Sequence, residues 1–92
     1  MTIARFPLGR VVATPAALQA LIEAGESPVT LIERHVAGDW GDVDEEDRRE
    51  NDRSLTDGCR LLSAYTLVSG EKLWVITEAD RSSTTILLPS EY

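Results

Sequence analysis

The chain is short, acidic and of ordinary globular composition. It has 92 residues, 42% of them hydrophobic and 27% charged, and 16 acids against nine Lys and Arg give a formal charge of −7. This length predicts one domain, residues 1–92, with a modest core, and the composition excludes a globally disordered chain. The charge disfavours direct binding to nucleic-acid phosphates or to anionic membranes, so a protein partner is expected to be basic.

Cysteine usage and the apolar runs predict a cytoplasmic protein. Cys59 is the single cysteine and cannot form an internal disulfide. The N-terminus lacks the basic start and apolar run of a signal peptide. Because no apolar run approaches the roughly 20 residues that cross a bilayer, a membrane protein is not expected.

A strand and a helix are predicted first. Residues 8–14, LGRVVAT, are β-branched and lie between prolines, which is typical of a short strand. Thr14 as N-cap, Pro15 at the first helical position and Gly25 as the stop then predict a helix. Apolar residues at helical spacing form its predicted buried face: Ala17, Leu18, Leu21 and Ile22.

The same punctuation repeats in two more helices. Ser27, Pro28 and Gly38 predict a second helix. Its apolar stripe consists of Leu31, Ile32, His35 and Val36. Asp44 can cap a third helix that runs to about Thr56, and acids in its first turn complement the positive end of the helix dipole.

From residue 60 onward the apolar period changes to two. RLLSAYTLV, EKLWVITE and STTILLP are β-rich runs separated by turn residues, which predicts an antiparallel meander. The predicted fold is therefore α+β, with three short helices packed on a three- to four-stranded, largely antiparallel sheet that the N-terminal strand joins. Both sheet faces are apolar, so either helices cover both or one face forms a homodimer contact.

Residues 35–52, HVAGDWGDVDEEDRREND, concentrate the polar residues that could form a site. An EF-hand beginning at Asp42 fails because Asp47 stands where glycine is needed and Arg53 where the glutamate ligand is needed. A zinc site needs several His or Cys, and the chain has one of each. The sequence therefore predicts neither a metal nor a cofactor.

A catalytic site is the second hypothesis for residues 35–52. His35, Asp39 and Asp42 could form an acid–base pair, but no Ser or Cys lies in a nucleophile motif. The favoured alternative is that His35 interacts with the dipole at its helix C-terminus and hydrogen bonds Asp39. We therefore expect a protein that is not an enzyme.

Nucleic-acid mimicry is the third reading. A mimic would leave its carboxylates unpaired, whereas the spacing here predicts intrahelical ion pairs. The expected pairs are Asp44 with Arg48, Glu45 with Arg49, Glu46 with Arg49 and Glu50 with Arg53. A solvated, self-paired helix face is favoured, with Asn51 and Asp52 on its surface or with Asn51 bonded to the GDWG backbone.

Trp40 lies in the predicted turn between the second and third helices. A tryptophan in a loop either closes the bottom of a small core or contacts a partner, and the core position is favoured because an exposed indole is costly.

Five distinctive segments span nearly the whole chain: FPLGRVVATPAAL, RHVAGDWGDVD, LLSAYTL, LWVITEADRSSTTILLP and the final EY. In them the chain resembles a family of small proteins encoded on bacterial plasmids and integrative elements, often labelled plasmid-related or as a type I restriction modification subunit. The second label conflicts with the chemistry, because the chain lacks a methyltransferase cofactor loop and catalytic motif. The resemblance implies mobile DNA in a bacterial cytoplasm, and an accessory role such as inhibition of a host defence system.

Two functional hypotheses follow. The first is a non-enzymatic interaction protein that contacts another protein, with these candidate residues: His35, Asp39, Trp40, Asp42, Asp44, Glu45 and Trp74. The second is a small ligand-binding domain or enzyme with His35, Asp39, Asp42 and Glu78 in a cleft. The first requires exposed side chains and the second requires convergence on a concave pocket.

Overall fold

The computed structural model describes residues 3–92. It contains three helices and a four-stranded mixed sheet, in the order β1 (Arg10–Ala13), α1 (Pro15–Ala24), α2 (Pro28–Val36), α3 (Glu45–Asp57), β2 (Leu61–Thr66), β3 (Lys72–Thr77) and β4 (Ser83–Leu87). A single 3₁₀ turn, Pro89–Glu91, follows. The predicted α+β fold is confirmed. Within residues 3–92, no helix has both the length and the apolar character needed to cross a membrane.

The sheet has the strand order β1-β4-β3-β2. The C-terminal meander is antiparallel, as predicted, with Ser63 opposite Val75 and Val75 opposite Ile86. The N-terminal strand joins beside β4 and is parallel to it, with Val12 opposite Thr85. The sheet therefore has two different edges, β1 at one side and β2 at the other.

The helix starts agree with the cap residues of the sequence. Thr14 Oγ1 accepts from the Ala17 N–H at 3.1 Å, Ser27 Oγ from Val29 at 3.2 Å and Asp44 Oδ1 from Asp47 at 2.8 Å. Each bond satisfies an N–H that the first turn of a helix leaves unpaired. These side chains fix where each helix begins.

The core has two parts. The first lies between α1, α2 and one face of the sheet. The second lies around Trp40 at the β2 edge and contains Phe6, Val36, Trp40, Val43, Leu61 and Ala64. The opposite sheet face carries Trp74 and Ile76, and Tyr92 packs edge-on against Trp74 at 5.6 Å between ring centroids.

One predicted helix face is wrong in part. Leu18 and Ile22 are 41% and 71% exposed, whereas Ala20 is buried. The reason is that α1 meets the sheet through a narrow stripe at positions i, i+3, i+4 and i+7, formed by Ala17, Ala20, Leu21 and Ala24. Small residues on this stripe let the helix approach the sheet and turn its larger apolar residues outward.

The β2 edge is closed by side chain and backbone from the preceding segment. Asn51 donates through Nδ2 to the Leu62 carbonyl at 2.7 Å and accepts from the Leu62 N–H at 3.0 Å. Ala64 donates to the Trp40 carbonyl at 3.0 Å and accepts from the Asp42 N–H at 2.7 Å. The predictions of a surface Asn51, or one bonded to the GDWG backbone, are therefore wrong: its amide replaces a neighbouring strand.

The change Asn51→Asp tests this closure. A carboxylate cannot donate to the Leu62 carbonyl, so we expect the free energy of unfolding to fall by at least about 1–3 kcal/mol, the cost of an unsatisfied buried acceptor. Urea denaturation at neutral pH measures it. The same chemical change at the exposed Gln19, Gln19→Glu, is the control and should cost about 0.5 kcal/mol or less. Equal stability of Asn51→Asp and wild type would contradict the role of Asn51.

Candidate functional site

His35 lies fully buried in α2 and spans two strands. Its Nδ1 is 2.6 Å from Ser63 Oγ on β2, and its Nε2 is 2.8 Å from Thr77 Oγ1 on β3. The Phe6 and Trp40 rings pack against the imidazole in T-shaped contacts, with centroids 5.2 and 5.8 Å away. The predicted hydrogen bond to Asp39 is wrong, because the stripe that carries His35 faces the sheet while Asp39 lies on the surface beyond the helix end.

The directions of the hydrogen bonds around His35 follow from the Leu8 carbonyl, the acceptor at the end of the series. Thr84 Oγ1 donates to the Leu8 carbonyl at 2.8 Å, which uses its only proton. Thr77 must then donate to Thr84, 2.7 Å away, and accept from His35 Nε2–H. In a neutral ring Nδ1 then has no proton and accepts from Ser63. The hydrogen-bond directions thus place the proton of a neutral imidazole on Nε2.

Burial agrees with this neutral form. Removal from water lowers the pKa of His35 from 6.5 to about 4. No carboxylate hydrogen bonds the ring in the part of the chain that the structure describes. His35 therefore lacks both the access and the carboxylate partner that an acid–base catalyst needs.

Trp40 closes the core, as the favoured reading predicted. Its side chain is 1% exposed, stacks on Phe6 and donates through Nε1 to Asp52 Oδ1 at 3.1 Å. Gly41 follows with φ 74° and lies so close to the Ala64 carbonyl that a Cβ would collide with it. The prediction that His35 and Trp40 contact a partner is therefore wrong, because both side chains are buried.

Asp39 is occupied by its own neighbour. Arg34 donates to it through Nε at 2.7 Å and through a second nitrogen at 3.3 Å, and this pairing lowers the pKa of Asp39. The Arg34 guanidinium also lies over the Tyr65 ring, whose hydroxyl donates to the Asp39 carbonyl at 2.6 Å. This arrangement fixes the chain where α2 ends.

The charges of α3 pair less completely than predicted. Of the four expected pairs, Glu50 with Arg53 is present at 3.6 Å. Arg48 pairs with Glu45 at 3.8 Å instead of with Asp44, whose carboxylate accepts from the Asp47 N–H as helix cap. The acidity of the helix start is therefore only partly neutralised within the helix.

Three candidate residues do come together in one shallow groove, named here the acidic groove. It runs between the start of α3 and the outer sheet face and is lined by Asp42, Val43, Asp44, Asp47, Leu62, Ala64, Lys72, Trp74 and Pro89. Its volume of about 310 Å³ lies at the low end of the roughly 300–1,000 Å³ of ligand pockets. It has room for one or two side chains rather than a large cofactor.

Hydrogen bonds and a ring contact hold Asp42, Asp44 and Trp74 in place in the groove. Asp42 Oδ2 accepts from Thr66 Oγ1 at 2.8 Å, and Asp44 is fixed by its capping bond. Trp74 is half-buried against Tyr92, and the Arg60 guanidinium lies 5.4 Å from the centre of the Tyr92 ring. The sequence did not indicate Asp47 or Tyr92 as site residues, although Tyr92 is aromatic.

The alternative cleft does not form. His35 is buried, Asp39 is paired with Arg34 on the surface, and Glu78 is not among the residues of the acidic groove, which holds Asp42. Glu45 stands exposed at the start of α3, beside the groove residue Asp44. Among residues 3–92 no group of His, Cys, Asp and Glu is arranged to hold a metal ion.

Fold and site together define a small α+β protein with a buried series of hydrogen-bonded side chains around His35 and an acidic groove that contains a tryptophan. No protein-family model, curated protein or solved structure matches the chain. The resemblance to plasmid-encoded proteins therefore stays a prediction.

The buried histidine predicts a specific pH dependence of stability. The unfolded chain binds a proton near pH 6.5 and the folded chain only near pH 4, so the free energy of unfolding falls as the pH falls between these values. The His35 contribution to this fall is about 1–2 kcal/mol between pH 6.5 and pH 5. Urea denaturation of wild type and His35→Gln over this range measures it: the variant should lack this slope, and parallel curves would contradict it.

Proposed function

We propose that the protein is a non-enzymatic binding module whose acidic groove takes a basic segment of another protein. The proposal rests on the convergence of Asp42, Asp44 and Asp47 around an apolar floor that includes Trp74. A Lys or Arg side chain has both parts that this surface complements, an apolar stem and a charged head. Recognition would combine ion pairing with a cation over the indole.

The local charge supports a cationic ligand. Three carboxylates line the groove against one ammonium group, that of Lys72, so the local charge is −2. The bonds from Thr66 to Asp42 and from Asp47 to Asp44 orient two of these carboxylates before a ligand arrives. Such preorganisation reduces the entropy lost on binding.

The family resemblance supplies the setting of the proposal. A protein of mobile DNA in a bacterial cytoplasm meets nucleic-acid-processing enzymes, whose substrate channels are basic because they bind phosphates. We propose such an enzyme of a host defence system as the partner, with the protein as accessory or inhibitor. The exposed acids at the start of α3, including Glu45 and Glu46, extend the negative surface beside the groove.

Binding of an arginine-rich peptide to charge-neutralised variants tests the groove. Asp42→Asn keeps an acceptor for Thr66 and Asp44→Asn keeps a capping residue, so the double variant should fold while losing two charges. We expect its affinity, measured by fluorescence anisotropy of a labelled peptide, to fall about tenfold or more, which corresponds to about 1.4 kcal/mol.

The matched control is Glu23→Gln with Asp57→Asn, which removes two charges at exposed positions away from the groove. It should change affinity less than about threefold, because exposed charges act only through the screened field. Equal weakening by both double variants, or no binding by wild type, would contradict a groove-specific function.

A further inference from the structure

The two edges of the sheet differ in one respect. The β2 edge is closed at Leu62 by Asn51 and at Ala64 by the Trp40–Asp42 segment. At the other edge, the Arg10 and Thr14 N–H groups bond the Ser82 and Ile86 carbonyls of the β4 side. In a parallel ladder alternate residues face the neighbouring strand, so the backbone groups of Val11 and Ala13 point outward. Within residues 3–92 they have no partner.

The open edge is mostly apolar, and its short length and the charge of Arg10 are its protection. Val11 is 46% and Val12 is 37% exposed, and Arg10 is the single charged residue of the strand. Natural edge strands are commonly protected by several charges, by proline, by a bulge or by a covering loop. An exposed β-branched edge with free donors and acceptors is a template for another strand.

We propose that β1 pairs antiparallel with β1 of a second copy of this chain, which joins two sheets into one of eight strands. The outward backbone groups fix the register: Val11 of each copy lies opposite Ala13 of the other, so four N–H···O=C bonds form. Val12 then faces its own counterpart across the two-fold axis. The contact uses the same residues on both copies, as a two-fold dimer requires.

Charge complementarity selects a second copy over an unrelated strand. In this register Arg10 lies opposite Thr14 of the other copy. Thr14 Oγ1 donates to Glu91 Oε1 at 2.8 Å, and the Leu88 N–H donates to the same oxygen at 2.8 Å, so a carboxylate is fixed at that end of the strand. Arg10 has no ion-pair partner in the described part of its own chain. In the dimer each Arg10 gains the Glu91 carboxylate of the other copy as a partner, so the ion pair forms twice.

Helix α1 adds apolar area on the inner side of this edge. It begins two residues after β1 ends and packs over β4, and its Leu18 and Ile22 are exposed. The strand contact itself is short, and standard interfaces bury about 1,600 Å². We therefore expect a reversible dimer in the micromolar range. The acidic groove, on the β2 and β3 side, stays open in both copies.

Sedimentation of the full chain over a micromolar to millimolar concentration series tests the proposal. Wild type should pass from monomer to dimer. Arg10→Glu should weaken dimerisation about tenfold or more, because two attractive pairs become repulsive. Arg49→Glu, the same charge change on α3, should leave the dimer within about threefold of wild type. A wild type that stays monomeric throughout, or equal effects of the two variants, would overturn the proposal.

A second variant and a second measurement address the backbone contact. Ala13→Pro removes an outward N–H that bonds nothing within the chain, so the monomer should fold, as circular dichroism can verify, but lose dimerisation. In wild type the Val11 and Ala13 amides should gain protection from hydrogen exchange as concentration rises. A dimer without that protection would show that another surface forms it.

Discussion

The hydrogen bonds of the buried His35 imidazole are the constraint on which the rest of the structure depends. They join α2 to β2 through Ser63 and to β3 through Thr77, and the chain of hydroxyls continues through Thr84 to the carbonyl of Leu8. Buried donors and acceptors are costly when unpaired, so each segment must occupy a position that satisfies the next. Five parts of the chain, distant in sequence, are thereby held in one arrangement.

The segment that follows His35 wraps around the β2 edge because of this anchor. Trp40 packs on the His35 and Phe6 rings, the backbone from Trp40 to Asp42 pairs with Ala64, and Asn51 closes the remaining edge. Most of the polar and aromatic residues between 35 and 52 are thus explained by closing the fold. What remains outward is the acidic groove, where the helix start meets Trp74 on the sheet. Function is proposed there because its three carboxylates and Trp74 line one surface.

The parts of the fold that depend on local chemistry were predictable. Cap residues gave the helix starts, and the change of apolar period gave the C-terminal meander. The errors concern partners distant in the chain: His35 bonds residues 28 and 42 positions away, whereas spacing alone pointed to the nearby Asp39. The closure by Asn51 and the groove between Asp42 and Trp74 require the strand register, which no local pattern encodes. The exposure of Ile22 likewise depends on how α1 rotates against the sheet.

The tautomer and ionisation state of His35 test the central claim most directly. Long-range ¹H–¹⁵N correlation spectra of the imidazole distinguish a protonated Nε2 from a protonated Nδ1. The account predicts a single neutral form at pH 7, with the proton on Nε2, that resists protonation until the pH approaches about 4. A ring that titrates near pH 6.5, or that carries its proton on Nδ1 at pH 7, would contradict the hydrogen-bonded chain from Ser63 to Leu8.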